Sequence, residues 1–263
     1  MKFIFNHILM VAAISLAAFC AASAQQPTAR MFDGETLKYE GKGNKLKLSI
    51  TVADLTFNAS VAPNSDDLVI KSDAVSKGSL LRLFRYSFSQ KYESTVNLDS
   101  FRILKTTKHD VQKQRVRDSL AIFDYKEKMV RYLETDPKDP TRPPRRIASA
   151  IGEQVYDMIS AIYAVRLLPL AVGKKYEFSV SDSGLVFKIP FRVTAREQQN
   201  TVLGKVWCFR VEPEIFGTGR LIERKGNMVI WMTDDERHTP VRSQIKTDFG
   251  KFDVKLKSSS LIK

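Results

Sequence analysis

From Met31 onward nearly every segment alternates apolar and polar residues with a period of two, the pattern of strands with one dry and one wet face. In "KLKLSITV", Leu46, Leu48, Ile50 and Val52 oppose Lys45, Lys47, Ser49 and Thr51. "KYEFSV" repeats this with Tyr176, Phe178 and Val180, and "LVFKIPFRVTAR" with Phe187, Ile189, Phe191 and Val193 against Lys188, Arg192 and Thr194. Near the end Val241, Ile245, Thr247 and Phe249 face away from Arg242, Gln244, Lys246 and Asp248, and then Phe252, Val254 and Leu256 oppose Lys251, Asp253, Lys255 and Lys257. Further strands are predicted over 35–41, 55–61, 68–72, 91–98, 101–107, 114–123, 128–133, 202–212, 221–223 and 228–232, separated by turn signals such as Gly184, Gly226-Asn227 and Gly250. One wet face on each strand implies antiparallel pairing.

Helix is scarce. "EQVYDMISAIYAVRLLPL" predicts one over 153–168, stopped by Pro169. Its apolar positions nearly encircle it, and after Glu153 and Gln154 at its start Asp157, Ser160 and Arg166 alone are clearly polar. A helix this apolar and this short belongs against a sheet rather than through a bilayer. A weaker helix candidate, "SLLRLFRYS" at 79–87, reads equally well as a strand. The breaker "KDPTRPPRR", 138–146, links two halves of one sheet system. The predicted architecture is mainly β: an antiparallel curved sheet or half-open barrel, with one apolar helix packed across its concave side as a plug or lid.

The first segment changes where this fold is expected to work. "MKFIFNHILMVAAISLAAFCAASAQQ" has Lys2, an apolar run from Ile8 to Ala22, and Ala-Ser-Ala before Gln25. It reads as a secretory signal peptide over 1–24, cleaved after Ala24, leaving a β-rich domain over 25–263. The run is shorter than the roughly 20 residues of a spanning helix, so no transmembrane segment is expected in the mature chain. A lipoprotein reading through Cys20 is disfavoured by Phe19, where such sites have a small residue. Cleavage leaves Cys208 as the one cysteine, so no disulfide can form within the mature chain and packing alone must hold it. Cys208 lies in the strand-like "GKVWCFRV", where a buried small hydrophobe is expected.

The formal net charge is +13 at pH 7, and the leader carries only Lys2 of it. Such a surface favours anionic partners. Export argues against nucleic acid and for lipid headgroups, acidic glycans or wall polymers.

Candidate chemistry is thin. "VIWMTDDERHTPVRSQIK", 229–246, crowds Asp234, Asp235, Glu236 and His238 together, but neighbouring residues on one turn seldom converge on a metal or an acid/base pair. The stretch reads as strand, solvated connection over 234–239, and strand, with Pro240 tolerable at the start of the second. Beyond the leader the histidines are His109 and His238, and no G-x-S-x-G, H-E-x-x-H or phosphate-cradling loop occurs. A non-catalytic protein without metal or cofactor is expected, with a hydrolase of unknown type as the residual alternative. Two binding modes remain. An apolar or lipidic ligand, or a hydrophobic protein segment, would meet aromatic residues such as Tyr163, Trp207, Phe209 and Trp231. An anionic envelope component would meet Lys113, Arg115 and Arg117, sharing one strand face opposite Val116, Leu120 and Ile122, together with Arg142, Arg145 and Arg146.

In order, "FDGETLKYEG", "YDMISAIYAVRLLPLAVGKKYEFSV", "GKVWCFRVEPE" and "VIWMTDDERHTPVRSQIKTDFGKFDVKL" resemble the bacterial envelope proteins grouped as domain of unknown function 3108. The resemblance spans 32–256, with 90–146 matching least well. It implies an exported β-rich domain and brings no catalytic residues. The chain is also loosely similar to the periplasmic carriers of lipoproteins, half-open antiparallel barrels with helices across the mouth, an analogy of fold alone.

Overall fold

The structure, a computed structural model, describes residues 28–45, 48–78, 87–248 and 250–260. The leader with its cleavage site, the weaker helix candidate apart from Ser87, Leu46 and Phe249 lie outside the described residues. After one turn of 3-10 helix, Ala29–Phe32, the chain forms β1 (Glu35–Lys45), β2 (Leu48–Val61), β3 (Asp67–Ser76), β4 (Phe88–Asn97), β5 (Ile103–Gln112), β6 (Arg115–Asp124), β7 (Met129–Thr135) and β8 (Arg145–Ala150). The two-residue β9 (Tyr156–Asp157) runs straight into the helix α1 (Met158–Arg166). There follow β10 (Lys175–Asp182), β11 (Leu185–Thr201), β12 (Gly204–Pro213), β13 (Gly226–Thr233), β14 (Pro240–Thr247) and β15 (Gly250–Ser259).

All of these strands join one sheet, in the order β8-β7-β6-β5-β4-β3-β2-β1-β15-β14-β13-β12-β11-β10-β9. It consists of two antiparallel meanders, one from each part of the chain, sewn together where β1 pairs antiparallel with β15. The pair β9–β10 is parallel. The sheet curves without closing, so β8 and β9 are its edges. Near them the two arms touch: Ser149 Oγ donates to the Gly184 carbonyl at 2.7 Å. Gly184 has φ +82°, and a Cβ there would sit 2.6 Å from Cβ of Tyr132 and 2.9 Å from Cβ of Ile147. Only glycine permits this turn and this approach together.

The interior is filled according to the alternation. On the first arm Leu68, Ile70, Val96, Ile103, Phe123 and Val130 pack with Phe32, Val155 and Tyr163, and on the second Phe191, Val193, Phe209, Val211 and Met232 pack with Leu170. The helix α1 lies across the concave side, against β3, β4, β9 and β10.

The helix begins later than its apolar pattern predicts. Asp157 caps it: the carboxylate accepts from the amides of Ile159 at 3.1 Å and Ser160 at 2.7 Å, while Ser160 Oγ accepts from the Asp157 amide at 2.9 Å. This capping box fixes the start at Met158 and leaves 153–157 outside the helix, with Tyr156 and Asp157 forming β9. Three other expectations are corrected. The breaker at 138–146 hides the start of a strand, because Arg145 and Arg146 already pair with Glu134 and Leu133 of β7. The segment 221–223 makes one isolated bridge, Phe216 to Ile222, where the loop at Gly217 and Gly219 folds back on itself. The predicted strand at 45–52, from Leu48 on, and that at 55–61 are one continuous β2, while Lys45 ends β1.

The other end of α1 is held by charge. Arg166 Nη1 and Nη2 donate to the two carboxylate oxygens of Glu35 at 2.6 and 2.7 Å, and both side chains are 0% exposed. Removing one member of such a pair strands a buried charge, at a cost of about 3–5 kcal/mol, whereas replacing both by apolar groups of similar volume is often close to neutral. Glu35→Gln and Arg166→Met are therefore each expected to lower unfolding free energy by about 3–5 kcal/mol, and the double variant Glu35→Met/Arg166→Met to recover most of that. Urea denaturation of the four proteins checks this; additive losses in the double variant would contradict it.

Candidate functional site

Because α1 is short and tied at both ends, it stands across the curved sheet and leaves an apolar cleft along each flank. The smaller, about 120 Å³, lies towards β10 to β13, between Met158 and Val165 of the helix and Phe178, Ile189, Phe191 and Val211 of the sheet. The larger, about 190 Å³, lies towards β1, β2 and β13 to β15, and is walled by Leu37, Leu55, Phe57, Ile245 and Val254. Ile162 of the helix and Met228 and Ile230 of β13 border both. An apolar cavity of about 150 Å³ admits a molecule the size of benzene, so each cleft is on the scale of a small apolar group.

The polar groups around the larger cleft are mostly spoken for. The Arg166 guanidinium, besides its two bonds to Glu35, donates from Nε to the Arg237 carbonyl at 3.0 Å, and it lies 4.4 Å from the ring centroid of Phe32 and 4.9 Å from that of Tyr163. His238 Nδ1 donates to the Arg166 carbonyl at 3.0 Å. Tyr39 donates to the Pro240 carbonyl at 2.8 Å. Burial raises the pKa of the Tyr39 phenol, against the opposing pull of Arg166. Burial, and then the Glu35 carboxylate, raises that of Tyr163.

A larger hollow, about 560 Å³, opens on the first arm among Lys71, Asp73, Lys91, Glu93, Lys108, His109 and Asp118. Its charges alternate in sign and several are paired, Lys71 with Glu93 at 3.1 Å and His109 with Asp118 at 2.5 Å. It has neither the apolar walls nor the single sign of charge that would select a ligand class, so the clefts beside α1 are the stronger candidate.

The four predicted aromatic residues do not converge. Tyr163 lines the larger cleft and packs edge-on against Phe32 at 5.0 Å. Phe209 is buried in the core of the second arm. Trp231 alternates with Met228, Ile230 and Met232, and so turns away from the clefts; it packs with Cys208, Val229 and Val241, donates from Nε1 to Glu197, and carries Arg242 over its ring. Trp207 is 44% exposed, beneath the Arg196 guanidinium at 4.4 Å.

The predicted basic residues also divide. Lys113 sits in the β5–β6 turn with φ 55°, not on a strand face. Arg117 shares its face of β6 with the buried Ala121 and Phe123, so that Ile122 on the other face is exposed, and Arg117 is bound to Asp136, with Glu134 at 3.8 Å. Arg142 lies 3.8 Å from the same Asp136. Arg115, Arg145 and Arg146 are exposed and, among the described residues, form no ion pair.

Sequence reasoning placed the turn at 234–239 and noticed Arg166 in the helix, but missed the Glu35–Arg166 pair and the burial of the turn. That turn is not simply solvated: His238 and Thr239 are buried, and Asp235 Oδ1 accepts from the amides of Arg237 at 2.9 Å and His238 at 3.0 Å. It thereby presents the groups that grip the end of α1. The signal available in the sequence was an arginine in the last turn of an otherwise apolar helix.

Residues 36–257 match a family model described as protein of unknown function (DUF3108). The chain belongs to the DUF3108 family. In fold, this DUF3108 protein is similar to a β-barrel-like protein of domain of unknown function DUF1849 from Brucella abortus, with 9% identity and a TM-score of 0.58, over 86% of this chain and 96% of that one. A Bacteroides fragilis protein with a YmcC-like fold aligns over 87% of this chain and 96% of its own, with 8% identity and a TM-score of 0.31. None of the curated proteins matches the sequence. The first likeness shows a shared fold and nothing about a ligand. Among the described residues no helix is long and apolar enough to cross a membrane.

Burial also sets a chemical signature. It pushes the Cys208 thiol up to about 12, helped by Asp235 and Glu197, and it raises the phenols of Tyr39, Tyr92 and Tyr163. All of these groups hold their protons more tightly folded than unfolded. Their contribution is complete below the unfolded values, 9.0 for the thiol and 10.0 for the phenols, and is lost as pH rises beyond them. The urea midpoint is expected to change little from these groups between about pH 7 and 8.5 and to fall steeply above about pH 9.5. At pH 8 only roughly one Cys208 in 10⁴ would be thiolate, so alkylation should track global unfolding. Rapid labelling of the folded protein would contradict this.

Proposed function

We propose that this protein is a non-catalytic exported protein that holds an apolar or lipidic group in the clefts beside α1. The observation that carries the reading is the pair of adjoining apolar clefts bordered jointly by Ile162, Met228 and Ile230. A well-packed interior leaves few voids larger than a water molecule, so two such spaces along one tethered helix favour occupancy by something from outside the chain. The signal-peptide pattern at 1–24 supports an envelope location. Of the two histidines beyond the leader, the buried His238 is engaged structurally with the Arg166 carbonyl.

A second reading, docking on anionic envelope glycans or lipids, draws on the exposed Arg115, Arg145 and Arg146 at the β6 and β8 end of the sheet. The commitment of Arg117 to Asp136 and Glu134 weakens it.

Native mass spectrometry of the protein extracted without organic solvent separates the two. The expected result is a co-purifying apolar molecule that is lost from Ile230→Trp, whose side chain would occupy the shared wall of both clefts, while the circular dichroism spectrum is kept. Absence of any bound molecule, together with binding to anionic vesicles that vanishes in a few hundred millimolar salt, would instead support docking.

A further inference from the structure

Strand pairing puts Met228, Ile245 and Phe252 in one row across the concave face of β13, β14 and β15. Met228 and Ile245 line the larger cleft, whereas Phe252 is not part of its wall and stays 36% exposed. Beyond this row the same face carries only Gly226, Thr247 and Gly250, so Phe252 marks the lip of the cleft. Phe216, from the loop before β13, reaches the same lip: a Cβ on Gly226 would stand 2.8 Å from its ring. Lys246 and Lys251 alternate with the row, face the convex side and lie directly opposite each other, one residue short of the strand ends. Like charges so placed repel. Among the described residues neither forms an ion pair, nor does Lys225 ahead of β13 or Asp248 in the β14–β15 turn. Glu223 and Arg224 cancel in sign, so the lip keeps an excess of positive charge.

We propose that this lip is a docking surface for a lipid bilayer bearing anionic headgroups. Phe252 enters the interfacial layer, Lys225, Lys246 and Lys251 meet the headgroups, and the larger cleft opens onto the membrane. An acidic glycan would answer the lysines but leave Phe252 in water, and an uncharged membrane would cover Phe252 but leave Lys246 against Lys251. An anionic bilayer satisfies both at once. The proposal goes beyond the apolar-ligand reading, which concerns what the cleft holds and not where it opens.

The test is co-sedimentation of the full chain, at low salt, with vesicles of phosphatidylcholine alone and of phosphatidylcholine with phosphatidylglycerol. Binding is expected to the second and not to the first, and is expected to be lost in a few hundred millimolar salt. Lys246→Gln and Lys251→Gln are each expected to weaken it about fivefold, and Arg115→Gln/Arg145→Gln/Arg146→Gln by no more than about twofold. Phe252→Trp places a fluorophore at the lip, and its emission, taken against the wild-type spectrum, is expected to shift to the blue on the anionic vesicles. Failure to bind them, binding kept in both lysine variants, or loss in the arginine variant would overturn the docking surface. Equal binding to soluble alginate with no blue shift on vesicles would overturn it in favour of a glycan. The ligand of the cleft is read separately by native mass spectrometry, so either idea can fail without the other.

Discussion

Glu35 and Arg166 are wholly removed from water, and an isolated charge in that position would cost several kcal/mol, so wherever one goes the other must follow. One belongs to the first residue of β1 and the other to the last residue of α1, 131 positions apart. The same strand that carries Glu35 pairs with β15 and sews the two meanders into one sheet. Joining the two meanders and seating the helix are therefore not independent events. The turn between β13 and β14 adds to the coupling, because the Arg237 carbonyl accepts from the guanidinium Nε and His238 donates to the helix-terminal carbonyl. At the opposite end Asp157 performs the equivalent task without a cation: Ser94 and Thr106 donate to its carboxylate at 2.5 and 2.6 Å, and the first helical amides complete the set.

Two polar anchors explain why an apolar helix does not settle into the sheet beneath it. Were the larger cleft dry, leaving about 190 Å³ unfilled would cost on the order of 4–5 kcal/mol at about 24 cal/mol per Å³. That is comparable with the penalty for breaking one buried ion pair, about 3–5 kcal/mol. Sinking α1 to close the cleft would have to disturb Glu35–Arg166, the Asp157 cap, or both, so the anchored position can persist with space along its flanks. A core made of the same apolar residues without the anchors would have no reason to stop short of full contact.

The alternation along the chain was enough to read the antiparallel arms, because a period of two has few other physical origins. It was also enough to notice that Asp157, Ser160 and Arg166 were out of place in an apolar helix. What it could not supply was their partners, since Glu35, Ser94 and Thr106 arrive from strands distant in sequence. The aromatic residues show a second limit. Which face of β13 is inward depends on register, and register shifts between Trp231 and Met232 and between Val193 and Ala195 are set by tertiary pairing rather than by local pattern. So Met228 and Ile230, unremarked among other apolar residues, line the clefts, and Trp231 does not. Arg117 looked like free charge because its partner Asp136 lies in the linker after β7, where no pattern pointed.

The anchors also decide what chemistry is left for a visitor. Charge that holds a helix in place is charge already spent, and the Arg166 guanidinium at the larger cleft faces the Glu35 carboxylate. What remains exposed to the space is hydrocarbon. A ligand that fills such a space would gain dispersion contacts with Ile162, Met228 and Ile230 without introducing a new charge. Because it would bind the folded chain and not the unfolded one, its binding energy would add directly to stability. It would do so in the apolar space beside the helix, so occupancy and helix anchoring reinforce each other: the anchors preserve the cleft, and whatever fills the cleft removes the main reason for the helix to leave its anchors.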